Sequence, residues 1–199
     1  MSFYEFARGL FRMQFRTLKW QISGVENIPK EGAVILAVNH ISNWDPILVA
    51  CGIERKINFM AKIELFRVPG LGALLRTFGA FPVKRGEGDM AAIRQALDIL
   101  KEGEILGIFP EGHRSKTGNV LKGMPGMVLL MEKSKAPVVP IKVYGTRRLF
   151  WHGRGKVGMV VGEPLQPEML KAPEGVPNRR EWIANHIMEQ VEALPESKL

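Results

Sequence analysis

Cysteine is nearly absent from this chain of 199 residues, because Cys51 stands alone. A single cysteine excludes an internal disulfide and agrees with a reducing compartment. Cys51 follows the apolar residues 46–50, a context that favours a buried structural thiol over one that carries an acyl group. The four histidines are widely scattered and show no metal-ligand spacing, so we expect a reaction that needs no metal.

Several sequence signatures of catalysis are also missing. The chain has no Gly-Xaa-Ser-Xaa-Gly elbow, no phosphate-binding loop ending in Gly-Lys-Ser/Thr and no dinucleotide fingerprint. A long apolar run is missing as well, and charges interrupt the first twenty residues. We therefore expect no cofactor, no secretory signal and no membrane-spanning helix. A peripheral location at the cytoplasmic face of the cell membrane fits these absences.

Positive charge, in contrast, is in excess. The net charge of +8 and the pI of about 9.8 favour an anionic partner. Residues 1–20 show a helical pattern with a basic stripe made of Arg8, Arg12, Arg16 and Lys19. Apolar residues fill most of the remaining circumference, namely Phe3, Phe6, Leu10, Phe11, Met13, Leu18 and Trp20. This pattern predicts a helix at the surface of an anionic phospholipid membrane. Packing on its own domain is the alternative, and too little polar surface remains for nucleic acid.

Short apolar runs alternate with helical patterns after residue 20. The predicted strands are 33–38, 57–61, 80–83, 104–109, 138–143 and 157–161, and the predicted helices are 45–52, 71–78, 89–101, 125–134 and 178–194. This alternation predicts an α/β fold with a single central mixed sheet flanked by helices. No linker or repeat divides residues 21–199, which we interpret as one domain following the N-terminal amphipathic helix.

An imidazole and a carboxylate follow the first long predicted strand, at His40 and Asp45. A histidine can act as a general base near neutral pH when a carboxylate orients its ring. Five residues along a continuous helix would turn the two side chains about 140° apart, so the chain must bend for them to meet. Residues 42–43 favour such a bend. Asp45 before Pro46 is equally typical of a helix N-terminus, and both interpretations can hold together.

Charged side chains follow the other predicted strands. Lys62 ends the second run, Lys84 and Arg85 follow the third, and Glu111 and Arg114 follow the fourth. Ligands of open α/β sheets lie at the carboxyl ends of strands, and clustered cations there suit a phosphate group. Each cation taken alone is also compatible with a solvated surface charge.

A second motif surrounds the last two of these charges, at residues 109–115. Gly112 permits a tight backbone path, and Glu111 and Arg114 are close enough in sequence to pair or to share a ligand. An ordinary strand exit with a surface ion pair is the alternative.

Four blocks in this order resemble the glycerolipid acyltransferase family, specifically its bacterial 1-acylglycerol-3-phosphate acyltransferases. The blocks are Asn39-His40 with Asp45, residues 79–85, residues 109–115 and residues 138–141. The resemblance spans roughly residues 20 to 165 and implies transfer of an acyl group to the sn-2 hydroxyl of lysophosphatidic acid. The implied donor is a thioester of acyl carrier protein or coenzyme A, and the implied product is phosphatidic acid.

The resemblance also implies roles for individual residues. His40 would remove the hydroxyl proton and Asp45 would orient His40, while Lys62 or backbone N–H groups would stabilise the oxyanion. The implied acceptor site contains Arg85, Glu111, Gly112 and Arg114. Two positions depart from the family pattern, Lys84 where an acidic residue is frequent and His113 where threonine is usual, and both put the acceptor preference in doubt.

Three other interpretations fit parts of the sequence. A related acyltransferase could use another lysophospholipid acceptor, and a thioesterase could use the same His40 and Asp45 with water. A non-catalytic basic module that binds membranes or nucleic acid would explain the net charge. That last interpretation gives no reason for His40, Asp45 and Glu111 to occur together.

Overall fold

The protein folds around one seven-stranded sheet in the computed structural model, which describes residues 3–17, 20–84, 89–148 and 156–196. The strands are β1 (Gln21–Ser23), β2 (Val34–Val38), β3 (Ile57–Lys62), β4 (Ala80–Val83), β5 (Ile105–Ile108), β6 (Val138–Tyr144) and β7 (Gly158–Val161). The helices are α1 (Phe3–Thr17), α2 (Asp45–Gly52), α3 (Leu71–Thr77), α4 (Met90–Lys101), α5 (Gly126–Ser134) and α6 (Arg179–Ala193). The predicted α/β class with a single mixed sheet is confirmed.

Five neighbouring strands of the sheet run parallel. The strand order is β1-β7-β6-β2-β5-β3-β4, and every pairing from β6 to β4 is parallel. Strand β7 pairs antiparallel with β6, and β1 pairs parallel with β7. The carboxyl ends of β6, β2, β5, β3 and β4 therefore meet along one edge of the sheet, which is the edge at which the sequence predicts the site.

Helices cover both faces of the sheet. Val34, Leu36 and Val38 of β2 belong to the core beneath α1, α2 and α3, whereas Ile35 and Ala37 belong to the core beneath α4, α5 and α6. All five residues of β2 are fully buried. A strand covered on both faces needs apolar residues at every position, which explains the unbroken apolar run.

Helix α1 packs on the first of these cores. Phe15 is 1% exposed and stacks on Trp20, and Phe11 lies edge-on against Phe78. The Arg8 guanidinium donates to the carbonyl oxygens of Ile53 and Glu54, just past the carboxyl end of α2. Cations are favoured there by the helix dipole. The predicted packing of the helix on its own domain is therefore observed.

The opposite side of α1 is apolar and open. Phe6, Leu10 and Met13 are 55%, 53% and 62% exposed and lie on one face of the helix. The basic stripe predicted to face a membrane does not behave as one surface, because Arg8 turns toward α2. The side chain of Arg16 and residue Lys19 lie outside the described residues. In the described part of the chain, no helix is both long enough and apolar enough to cross a bilayer.

Candidate active site

His40 and Asp45 meet as the sequence predicts. The ring nitrogen Nδ1 of His40 lies 2.8 Å from Oδ2 of Asp45, and the side chains are 12% and 0% exposed. The chain bends between β2 and α2, and α2 begins only at Asp45. Because a carboxylate accepts hydrogen bonds, the neutral imidazole carries its proton on Nδ1. Nε2 then offers a lone pair toward the edge of the sheet.

The Asp45 carboxylate is held by its own loop. Its Oδ2 accepts from the backbone N–H groups of Ile41 and Ser42, both at 2.7 Å. The side chain thus turns back toward β2, and position 44 before α2 supplies no side-chain cap. Pro46 lies in the first turn of α2, but Asp45 is the first residue of the helix and does not cap it. Asp45 therefore both orients His40 and stands at the N-terminus of α2.

The imidazole of His40 stacks on Phe109, the first residue after β5. Their ring centroids are 4.2 Å apart with 29° between the planes, and Phe59 stacks behind Phe109 at 5.8 Å. This packing fixes the ring and removes water from one of its faces. Phe109 was part of the predicted motif, but the sequence assigned it no role.

Glu111 contacts the backbone of His40. Its Oε1 accepts from the His40 N–H at 3.1 Å, and the N–H of Ser115 donates to the His40 carbonyl at 2.7 Å. Glu111 is 2% exposed, and among the residues that the structure describes its other oxygen, Oε2, has no donor in full hydrogen-bond geometry. Burial raises the pKa of Glu111 to about 7 against the opposing effect of the His40 and Leu121 N–H groups, and the charge of Asp45 adds to the increase. The motif at 109–115 therefore holds the backbone of His40 in place.

Gly112 gives this loop its shape. Its φ is +72°, in the left-handed region that favours glycine, and its N–H donates to the Phe109 carbonyl to close a turn. A Cβ at this position would lie 2.4 Å from the Met124 sulfur. Gly112 thus turns the chain so that Glu111 points at His40.

The predicted cations lie at the solvent side of the site. Lys62 ends β3 and forms an ion pair with Glu64 at 3.3 Å. Arg114 and Lys84 are exposed. Arg85 lies outside the described residues. The predicted clustering of strand ends is confirmed by the sheet order, whereas the roles of these cations stay predictions.

Two contributors had no role in the sequence analysis, which did not name Thr146 and quoted Asn39 only as part of a block. Thr146, which is 1% exposed, donates from Oγ1 to Oδ1 of Asp45 at 2.5 Å. Asn39 pairs with the backbone of Val143 in both directions, at 3.0 and 2.7 Å. The carboxyl end of β6 and the residues just after it thus contact both ends of the His40 loop. The apolar run of β6 followed by Gly145-Thr146 was the available signal, since it ends at the same edge of the sheet.

Other reactive groups do not join the site. Burial raises the pKa of the Cys51 thiol to about 12, although Arg8 and Arg12 oppose this effect, so the thiol is a poor nucleophile. Within the ranges that the structure describes, no three His, Cys, Asp or Glu side chains converge as a metal-ligand set. What the geometry provides is a largely buried imidazole that a fully buried carboxylate orients.

Known proteins resemble this chain in sequence and in fold. The acyltransferase family, described as Acyltransferase, matches residues 19–144. A 1-acyl-sn-glycerol-3-phosphate acyltransferase of Bacillus subtilis is 39% identical over 145 residues, 70% of each chain. The Streptococcus pneumoniae protein of the same description is 32% identical over 98% of this chain and 74% of its own. The crystal structure of the 1-acyl-sn-glycerophosphate acyltransferase PlsC from Thermotoga maritima has a TM-score of 0.68 at 28% identity, covering 99% of this chain and 86% of that chain.

Proposed function

The chain belongs to the acyltransferase family, and from this membership and the site geometry we propose that it acylates the sn-2 hydroxyl of 1-acyl-glycerol-3-phosphate to give phosphatidic acid. One observation carries the proposal. His40 is a base whose Nδ1 is committed to a buried carboxylate and whose Nε2 remains available at the carboxyl edge of the sheet. The same enzyme activity is named for the relatives in Bacillus subtilis and Streptococcus pneumoniae.

The first step is proton removal by His40. Nε2 takes the proton of the sn-2 hydroxyl while the oxygen attacks the carbonyl carbon of an acyl thioester. Asp45 stabilises the imidazolium that forms, because it already accepts the Nδ1–H. The tetrahedral intermediate then collapses, the C–S bond breaks, and the leaving thiolate takes the proton back from Nε2. No acyl-enzyme forms, no cofactor is required, and His40 ends each turnover neutral.

The oxyanion of the intermediate needs donors that are still free. The N–H groups of His40, Ile41 and Ser42 are already bonded to Glu111 and Asp45, so they do not serve. Lys62 remains the candidate from the sequence, because it ends β3, two strands from β2 at the same edge of the sheet, and is half exposed. Breaking its contact with Glu64 costs little, since exposed ion pairs contribute about 0–1 kcal/mol.

Arg114 and Arg85 are proposed to bind the phosphate of the acceptor. Arg114 is exposed three residues after Glu111, and an arginine can hold a phosphate through two parallel hydrogen bonds. Glu111 belongs to the site in a different way from Arg114, because its carboxylate is turned inward to His40. Gly112 supports the same turn.

The decisive assay follows the acyl group. Purified protein receives a labelled acyl thioester, carried by coenzyme A or by acyl carrier protein, with a panel of lysolipids or with none. We expect label on lysophosphatidic acid, and we expect His40→Ala to lower the rate by about 10²–10⁴-fold, the usual contribution of a positioned general base. Acyl release into water without an acceptor would instead establish a thioesterase. Rapid transfer to a different lysolipid would replace the acceptor, and near-normal turnover by folded His40→Ala would remove the mechanism.

We further propose that the protein binds the cytoplasmic face of an anionic membrane through α1. The exposed face of α1 carries Phe6, Leu10 and Met13, whereas Phe11 and Phe15 face the core. This arrangement makes the contact mainly apolar. Burial of such a side chain contributes about 1.5–3 kcal/mol in full, so roughly 1 kcal/mol is expected from each half-exposed one.

The membrane contact is tested by sedimentation with phosphatidylglycerol vesicles. Changing Phe6, Leu10 and Met13 together to serine should lower affinity by roughly 100-fold. Met169→Ser is the matched control, because Met169 is 73% exposed outside α1. Much of the vesicle binding by the unchanged protein should persist in high salt, since apolar contacts are not screened. Equal binding by the triple variant and the control would place the membrane contact elsewhere.

A further inference from the structure

We propose that Thr146 is a positioning residue that holds the Asp45 carboxylate, and through it the His40 ring, in the geometry needed for proton transfer. The inference rests on the proposed function, because it assigns His40 as the base. It adds a third side chain to the pair that the sequence identified. Thr146 lies 101 residues from Asp45 along the chain.

The distribution of donors around Asp45 is uneven. Oδ2 accepts the Ile41 N–H, the Ser42 N–H and the contact from His40, whereas the Thr146 hydroxyl is the donor that the structure places on Oδ1. Asp45 is fully buried, so water does not replace a lost donor. The Thr146 hydroxyl therefore restrains the end of the carboxylate that its own loop leaves free.

Thr146 is itself placed by rigid structure. It follows β6 in a short helical turn, and Gly145 before it has a φ of +76°. A Cβ on Gly145 would lie 1.9 Å from the Lys156 carbonyl oxygen, so the backbone leaves no room for a side chain at position 145. Asn39, the residue just before His40, makes two hydrogen bonds with the backbone of Val143 in β6. The end of β6 is thus fastened to the His40 loop at two points.

Two consequences follow for the reaction. Without the hydroxyl, the carboxylate can rotate about its Cβ–Cγ bond and misalign the acceptor of the Nδ1–H. The carboxylate also loses one of its hydrogen bonds, which changes how strongly its charge interacts with an imidazolium. His40 and Glu111 are the titratable groups that interact with Asp45 across the site. Thr146 therefore affects turnover and its pH dependence, and it does not contact the substrate.

Thr146→Val tests the proposal, because valine keeps the branched shape and removes the hydroxyl, whereas Thr146→Ser keeps the hydroxyl. We expect Thr146→Val to lower kcat by roughly 10- to 100-fold with little change in KM for lysophosphatidic acid. The acid limb of the kcat/KM profile should move relative to that of the unchanged protein. Thr146→Ser should restore most of kcat and the original profile. Ile187→Val, a buried change in α6, controls for a simple loss of stability.

A second measurement does not depend on the acceptor. The ¹⁵N signals of the His40 imidazole are followed against pH in the unchanged protein and in Thr146→Val, with His40→Ala identifying the signals. A shifted midpoint in Thr146→Val supports the proposal even if the preferred lysolipid proves different. An unchanged midpoint together with unchanged kcat overturns it. An unchanged midpoint with an activity loss that Ile187→Val reproduces at equal stability would also overturn it, since the role would then be structural.

Discussion

Replacing Asp45 separates two tasks that its carboxylate performs. The side chain satisfies two buried backbone N–H groups and the Thr146 hydroxyl, and it also supplies the negative charge beside His40. Asparagine can keep the first task, because its carbonyl oxygen can face the Ile41 and Ser42 N–H groups while its NH₂ group donates to the Thr146 oxygen. Alanine keeps neither task.

The magnitudes of the two losses differ accordingly. Asp45→Ala leaves the two N–H groups buried without acceptors, each costing about 1–3 kcal/mol, or roughly 2–6 kcal/mol together. Domains have a free energy of unfolding of about 5–15 kcal/mol, so the alanine variant should be partly unfolded or close to it. Asp45→Asn should lose only about 1 kcal/mol of stability. Its turnover should nevertheless fall by about 10²–10⁴-fold, because a neutral amide does not stabilise the imidazolium.

Urea unfolding followed by tryptophan fluorescence and an acyl-transfer assay measure the two effects on the same samples. A stable Asp45→Asn protein with little activity beside an unstable Asp45→Ala protein is the expected result. If the asparagine variant were as unstable as the alanine variant, the assigned hydrogen bonds would be wrong. If it were stable and active, Asp45 would have no electrostatic role in the reaction.

Three further substitutions probe neighbouring groups. The folded-state pKa of Glu111, about 7, lies above its usual 4.5, so the contribution of this group to stability is lost as pH rises from about 4.5 to 7. Glu111→Gln should make the free energy of unfolding, measured in urea titrations, depend less on pH over this range. An unchanged pH dependence would contradict the burial argument. Arg114→Ala should raise KM for lysophosphatidic acid by roughly 10- to 150-fold and discriminate less against acceptors without a phosphomonoester, whereas an unchanged KM would remove the phosphate contact. Cys51→Ala should leave turnover largely intact, and an acyl group trapped on Cys51 by mass spectrometry would refute direct transfer.

Most of the fold follows from local patterns in the sequence. Helix α2 and strand β4 have the predicted bounds, the other predicted elements after residue 20 agree within one residue at each end, and α1 is shorter than the predicted 1–20. The long apolar runs mark strands buried on both faces, whose composition leaves little ambiguity. Strand β1 escaped prediction because it has only three residues, Gln21–Ser23, and sits at the sheet edge beside β7. So short an element carries no periodic pattern.

The sequence left open which side of α1 packs on the protein. A basic stripe and an apolar arc can be recognised from spacing, but spacing does not reveal which side meets the protein. Arg8 donates to carbonyl groups beyond α2, and Phe11 and Phe15 pack on the core. The remaining apolar side chains are then left facing outward. Packing against α2, which is remote in sequence, decides the orientation.

The same limitation explains which parts of the site were predictable. His40 and Asp45 are five residues apart, so the bend between them and their contact can be argued locally. Thr146 is separated from Asp45 by 101 residues and meets it only because β6 pairs with β2. The resemblance placed Glu111 in the acceptor site, a role that stays a prediction. Its burial and its contact with the His40 N–H are tertiary properties, which no local pattern revealed.

The geometry of the base therefore depends on three adjacent strands. Strand β2 delivers His40, its neighbour β5 delivers Phe109 and Glu111, and its other neighbour β6 delivers Thr146. The registers Ala37 with Ile108 and Val38 with Ile141 set the heights at which these groups meet. A shift of one residue would turn every side chain of β2 to the opposite core, which the helices on both faces oppose. The apolar packing that holds the sheet together thereby also holds the imidazole against its carboxylate.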